Sequence, residues 1–128
     1  MAGREDREVV VLLTSNSSVA GAVRGSLKGT PASCGRVTGA ARIVCTPEDG
    51  ASLLAGEIVV CDAATPELTV LLALAAGVIA ETGGALSSAA AVARERGVPM
   101  VVAARDATRR IQDGQIVTID GASGVVFF

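Results

Sequence analysis

Gly83-Gly84-Ala85-Leu86-Ser87-Ser88-Ala89-Ala90-Ala91-Val92-Ala93-Arg94-Glu95-Arg96-Gly97-Val98-Pro99 is the stretch on which the fold of this chain turns. Two glycines mark a tight turn, because glycine enters backbone conformations closed to other residues. A serine follows that can cap a helix. The residues from about Ser88 to Arg96 are small or charged and read as a helix whose alanines permit close packing. Arg94 and Arg96 stand in its last turn, where cations oppose the helix dipole. Gly97 stops the helix, and Pro99 confirms that it cannot continue.

On the upstream side, Val78-Ile79-Ala80 reads as a short buried strand that feeds the turn. Before it, Thr65 can cap a helix, Pro66 suits its first position and Glu67 favours its positive end. Leu68, Leu71, Leu72 and Ala75 then form an apolar stripe, and Gly77 is expected to end that helix. Glu57 to Cys61 is another strand. Gly35 to Gly39 suggests a strand with a bend that continues from Ala41 to Cys45. Thr46 to Gly50 is a turn or one helical turn capped by Thr46. On the downstream side, Met100 to Ala103 is a strand and Asp106 can cap a short helix through Arg110. Gln115 to Ile119 and Val125 to Phe128 are strands joined by a hairpin-type turn over 120–124. Residues 8–13 read as a buried strand, and Thr14 to Pro31 as a loop with a short irregular helix near Val19–Arg24. Strands come first, then two strand–helix units, then two more strands. This order specifies an α/β layered domain with mixed strand pairing and no internal repeat.

Composition narrows the function. The chain has 128 residues, enough for one core without disulfides or metal. Phe127 and Phe128 are its only aromatic residues, so it lacks the stacking platform of single-strand nucleic-acid binders. The net charge is −2 and no basic stripe is present, which also argues against a nucleic-acid partner. Cys34, Cys45 and Cys61 are far apart, and there is no histidine, so no metal-ligand spacing exists. The expected state is three reduced, mostly buried thiols in a cytoplasmic protein. The charged N-terminus lacks a signal-peptide layout. The apolar run Leu68–Ala80 is too short to span a bilayer, so no membrane role is expected.

The turn from Thr82 to Ser88 is the candidate site. Glycines let backbone amides approach a ligand, Ser87 and Ser88 add hydroxyls, and the helix presents free N–H groups to an anion. The same residues also suit a plain chain reversal with a serine cap. Neither GxxxxGK[ST] nor GxGxxG occurs, so no nucleotide fingerprint and no cofactor are indicated. Glu81 reads as a solvated strand end. Arg94, nearly two turns beyond Ser88, reads as a surface or dipole-opposing residue. Arg109-Arg110 with Asp106 and Asp113 reads as a self-paired, solvated face.

Taken together, these motifs resemble the phosphohistidine swivelling (mobile) domain of phosphoenolpyruvate-utilising enzymes. The glycine pair, the serine before the alanine-rich helix, Ala93-Arg94-Glu95, Gly97 and Pro99 all fall in the family's order. Gly35–Ala41 is similar to its entry strand, Gly56–Val60 to its next strand, and Thr65-Pro66 to its threonine-proline step. Ala107–Gly121 is similar to its closing segment. The resemblance covers residues 26–128 and leaves 1–25 unassigned. It implies a swivelling β/β/α-type domain with a mixed sheet. Domains of this kind occur in pyruvate phosphate dikinase, phosphoenolpyruvate synthase, enzyme I and rifampicin phosphotransferase, where they carry a phosphoryl group on a histidine between active sites.

The family histidine falls on Ser88, and the chain has no histidine anywhere. The threonine that can bond that histidine falls on Thr65. Gly83, Gly84, Ser87 and Ser88 would hold the phosphate. A relay needs a nucleophile that is neutral near pH 7 and releases its phosphate, which imidazole provides. A serine hydroxyl needs a neighbouring base, and its ester is a trap. The expectation is a stand-alone, non-transferring structural or regulatory subunit. Its partner would be a protein bearing the nucleotide site, the phosphoenolpyruvate/pyruvate site, or both. Two alternatives are a serine-linked phosphotransferase component, or a fragment or variant of a dikinase-like enzyme, and a small-anion-binding module.

Overall fold

The computed structural model describes residues 25–63, 65 and 68–128. The strand expected at 8–13 and the short helix near 19–24 lie outside these residues. The elements run β1 (Ser26–Lys28), β2 (Thr30–Ser33), β3 (Arg36–Val44), α1 (Pro47–Ala51), β4 (Ile58–Ala63) and α2 (Leu68–Leu71). They continue with β5 (Gly77–Thr82), α3 (Ser88–Arg96), β6 (Met100–Val102), α4 (Ala107–Arg110), β7 (Ile116–Asp120) and β8 (Val125–Phe127).

All eight strands form one mixed sheet in the order β1-β8-β7-β3-β4-β5-β6-β2. The strand β3 is its spine. Its first half pairs antiparallel with β7, Arg36 opposite Asp120, and its second half runs parallel to β4, Ala41 opposite Ile58. The strands β4, β5 and β6 continue in parallel. Parallel strands covered on both sides should be apolar without alternation, and these are. In β4, Ile58 and Val60 enter one core while Val59 and Cys61 enter the other. In β5, Ile79 enters the first core, and Val78 and Ala80 the second. Met100, Val101 and Val102 alternate in the same way.

The first core joins both halves of the sheet through Leu27, Ala41, Val117, Ile119 and Val126, with Ala107 and Ile111 from α4 and its exit. The second core lies under α2 and α3, where Leu68, Leu72, Ala89, Ala90 and Ala93 are buried. Two sheet halves and a helical layer give the expected β/β/α arrangement. The alanine content of α3 follows from its place, since Ala89, Ala90 and Ala93 have no solvent exposure at all. Larger side chains there would force the helix off the sheet.

Several local expectations change. The end of the loop expected over 14–31 instead forms β1, Ser26–Lys28, and the start of β2, Thr30–Ser33. They have no hydrophobic period because each is a short margin strand, β1 paired to β8 and β2 to β6. Among the described residues helix α2 covers Leu68–Leu71, and Pro66 and Glu67, expected in its first turn, lie outside them. Gly77 does not stop it but opens β5, where an added Cβ would lie 2.7 Å from Ile119 Cδ1 and 2.9 Å from Val37 Cγ1. Thr46 does cap α1, in a reciprocal capping box with Asp49. The backbone N–H groups of Cys45 and Thr46 donate to the Asp49 carboxylate and hold its pKa below the usual range.

Of the three thiols only Cys61 is buried; Cys34 and Cys45 are exposed. Burial pushes the Cys61 thiol up to about 12. Cys45 is also raised, by partial desolvation and then by the nearby Asp62. Iodoacetamide at neutral pH should therefore alkylate Cys34 and Cys45 in the folded protein and reach Cys61 only after denaturation. Peptide mass spectrometry reads the difference, and native labelling of Cys61 would contradict this packing.

Candidate functional site

In a parallel sheet, ligand sites form beyond the carboxyl ends of the strands. Here β3 ends at Val44, β4 at Ala63, β5 at Thr82 and β6 at Val102. The segments that follow them bring Thr46, Thr65, Gly83–Ser88 and Arg105-Asp106 to one end of the sheet. Ala63 pairs with Thr82 across β4 and β5, so Thr65 and the Gly83–Ser88 loop leave neighbouring strands. The Thr82 hydroxyl donates to the Asp62 carbonyl oxygen at 2.8 Å and joins the two exits.

The loop is built as its residues dictate. Gly83 has φ +114, in the region that favours glycine. The Ser87 N–H donates to the Gly84 carbonyl at 3.2 Å and closes the turn. Ser87 is the N-cap of α3, its Oγ accepting the Ala90 N–H at 3.2 Å. Ser88 is the exposed first residue of the helix. Among the described residues no hydrogen bond engages its hydroxyl. The N–H groups of a helical first turn lack intrahelical partners, and the dipole adds positive potential there. The two serines thus divide the work: Ser87 holds the helix start, and Ser88 faces outward. At the other end Gly97 closes α3 with φ +71, as the sequence indicates. Ser87→Ala should cost about 1 kcal/mol through the lost cap. Urea denaturation checks this, and an unchanged midpoint would mean that the cap is dispensable.

Thr65 is exposed, and its carbonyl accepts the Leu68 N–H at 3.0 Å. Among the described residues, no hydrogen bond joins its hydroxyl to Ser88. Thr65 instead lines a groove of about 720 Å³ with Cys45, Asp62, Leu71 and Leu74, which does not reach Gly83, Ser87 or Ser88. A separate cleft of about 340 Å³ is lined by Glu81, Thr82, Arg105 and Asp106. No group of three or more metal-ligating side chains occurs among the described residues, and no helix among them is long and apolar enough to cross a membrane.

Two residues differ from their sequence reading. Glu81 is not a solvated strand end. Its Oε2 accepts the Thr108 N–H at 2.7 Å and the Thr108 hydroxyl at 2.6 Å. It caps α4 from the neighbouring strand, the task expected of Asp106. Asp106 itself sits at φ +65 and makes no cap bond. Its carboxylate pairs with Arg109, which holds its pKa below the usual range. This confirms the self-paired face for that pair, while Asp113 pairs instead with Arg42 at 3.5 Å. The second surprise is Arg94. Its Nη1 donates to the Ala32 carbonyl and to the Ala85 carbonyl, each at 2.8 Å. Side chains on a helix lean toward its N-terminus. A long arginine can therefore return from the last turn to the loop before the first. Counting turns between Cα positions misses this reach.

The sequence pattern of the PEP-utilising enzyme mobile domain matches residues 53–124, from the strand before the Thr65 segment to the last hairpin. The chain belongs to this family. Rifampicin phosphotransferase of Streptomyces sviceus is 38% identical over 122 residues, 91% of this chain and 14% of that protein. An uncharacterized phosphotransferase, YvkC, of Bacillus subtilis is 42% identical over 98 residues, 77% of this chain and 12% of that protein. Among solved structures, an enzyme I NMR structure superposes with a TM-score of 0.53 at 28% identity. It covers 60% of this chain and 32% of its own. The mobile domain therefore spans about an eighth of the length of those two relatives. In this family the domain is one part of larger phosphotransfer proteins, and the mixed α/β fold agrees with the enzyme I neighbour.

Proposed function

We propose that residues 26–128 are a mobile domain that keeps the family's phosphate loop but does not itself carry the phosphoryl group. It acts as a structural or regulatory partner to a protein bearing the nucleotide site, the phosphoenolpyruvate/pyruvate site, or both. The observation that carries this reading is the complete absence of histidine, with a serine as the first residue of α3. A carrier must accept a phosphoryl group and give it up again. Imidazole does both near neutral pH. A serine hydroxyl must first lose its proton to a base. Glu81 and Glu95 are equally near Ser88 in sequence. Glu81 is held by Thr108 through two short hydrogen bonds, and Glu95 lies at the far end of α3 from Ser88. A serine ester, once formed, would not return its phosphate. This supports non-transfer over the serine-linked alternative.

The test uses the full chain with labelled ATP or phosphoenolpyruvate and a phosphotransferase of the family as donor. The expected result is no label on the unmodified protein and acid-labile label on Ser88→His. The second variant shows that the donor is competent. Label on Ser87 or Ser88 that turns over would sink the proposal.

A second reading is favoured by the exposed Ser88 hydroxyl, which makes no hydrogen bond among the described residues, at the start of a nine-residue helix. The loop binds a small phosphate-bearing anion without chemistry. Titration with inorganic phosphate or phosphoenolpyruvate, followed by amide NMR, should shift Gly84–Ala89. Unshifted resonances at millimolar ligand would end this reading.

A further inference from the structure

The geometry points to Arg94 as the positioning residue of the Gly83–Ser88 loop. The inference rests on the reading of that loop as the functional site, but its own test does not depend on phosphoryl transfer.

The loop must be held from outside its own turn. Gly83 lies at φ +114, and a Cβ added at Gly84 would meet nothing within 4 Å. Its tip is open to solvent, with Leu86 96% exposed. The turn's own bond, Ser87 N–H to Gly84 carbonyl, fixes its shape and not its place on the domain. The Ala85 methyl packs against the core under the helices. The Ala85 carbonyl is fixed by Arg94, which also grips Ala32 of β2.

One nitrogen makes both contacts, and the chemistry of guanidinium permits it. Nη1 bears two protons, and each can point at one carbonyl. Hydrogen bonds from a charged donor are stronger than neutral ones. The contact therefore triangulates three parts of the chain: the loop before α3, the last turn of α3, and margin strand β2. β2 is itself paired to β6. The loop thereby moves with the sheet rather than about its glycines. Arg96, in the same helical turn, makes no contact of this kind among the described residues, so basic charge in the last turn is not the distinguishing property.

Arg94→Ala should leave the fold intact and release the loop. Residue-resolved hydrogen exchange on the full chain should show at least a tenfold faster rate at Ser87, whose N–H closes the turn on the Gly84 carbonyl, with unchanged rates at Val59–Cys61 and Val78–Ala80. The carbonyl ¹³C resonances of Ala32 and Ala85 should move together. Arg94→Lys retains a charged multiple donor and should recover part of the protection. If Arg94→Ala does not fold, Arg94→Met keeps the packed stem and takes its place. Loop exchange that stays at the wild-type rate overturns the inference. So does a uniform rise that includes β4 and β5, because Arg94 would then support the whole domain. Label that turns over on Ser87 or Ser88 of the unmodified chain, in the separate transfer assay, defeats the functional reading and leaves the Arg94 result standing.

Discussion

Gly121→Ala lowers the stability of the domain by about 3 kcal/mol, near the upper end for steric overpacking. A Cβ at this position would lie 1.9 Å from the Ser33 carbonyl oxygen, 3.1 Å from its carbon and 3.2 Å from the Gly35 carbonyl oxygen. All three atoms are backbone, so no side-chain rotation relieves the clash. Gly121 also donates its N–H to the Gly35 carbonyl at 2.7 Å, so the turn cannot retreat without losing that bond. The Asp120 carboxylate fixes the same turn by accepting from Ala122 and Ser123. Replacing glycine with alanine stiffens the unfolded chain and by itself favours folding by about 0.4–1 kcal/mol. The steric cost must exceed that gain, and at 1.9 Å it does. Gly77→Ala is the control. Its contacts under 3 Å are with side-chain methyls of Ile119 and Val37 rather than with backbone. It should cost about 1 kcal/mol or less. Urea midpoints at constant m read both values. Equal costs for the two variants would show that the hairpin turn shifts freely.

Ile79→Ala should cost about 2–5 kcal/mol through lost burial and the cavity left behind. Ile79 is fully buried, paired to Val60 on one side and Val101 on the other, within the core shared by both halves of the sheet. Those neighbours sit on paired strands, so the site cannot collapse by moving one loop. Against a total stability of about 5–15 kcal/mol, this is a large fraction. Leu86→Ala, at 96% exposure, should change stability by less than about 0.5 kcal/mol. A small effect at Ile79 would mean that the two sheet halves repack independently.

The residues explain which features could be read in advance. Helix α3 is found where the sequence puts it, because its punctuation is local: a glycine turn, a serine cap and a glycine stop. The strands β4, β5 and β6 are legible from uninterrupted apolar runs. β1 and β2 are not, since Ser-Leu-Lys and Thr-Pro-Ala-Ser become strands only by pairing with β8 and β6. The same holds at the site. Ser87 was legible as the cap from its position before the helix, and Ser88 as the first helical residue. Glu81 as the cap of α4 and Arg94 as the clamp on Ala85 were not. Each contact joins residues through space, and neither has a spacing that sequence pattern can register.

β1 and β2 are consecutive in the chain, separated by Gly29, yet they occupy opposite ends of the strand order. A single short segment therefore shields both margins of the sheet. Bare strand edges recruit other chains. The shield here is short, and it carries Pro31, which withholds a backbone donor. Cleavage or insertion within 26–33 would uncover β8 and β6 together and offer two templates for intermolecular pairing. Resistance to self-association is thus concentrated in this one segment, away from the loop that bears Ser88.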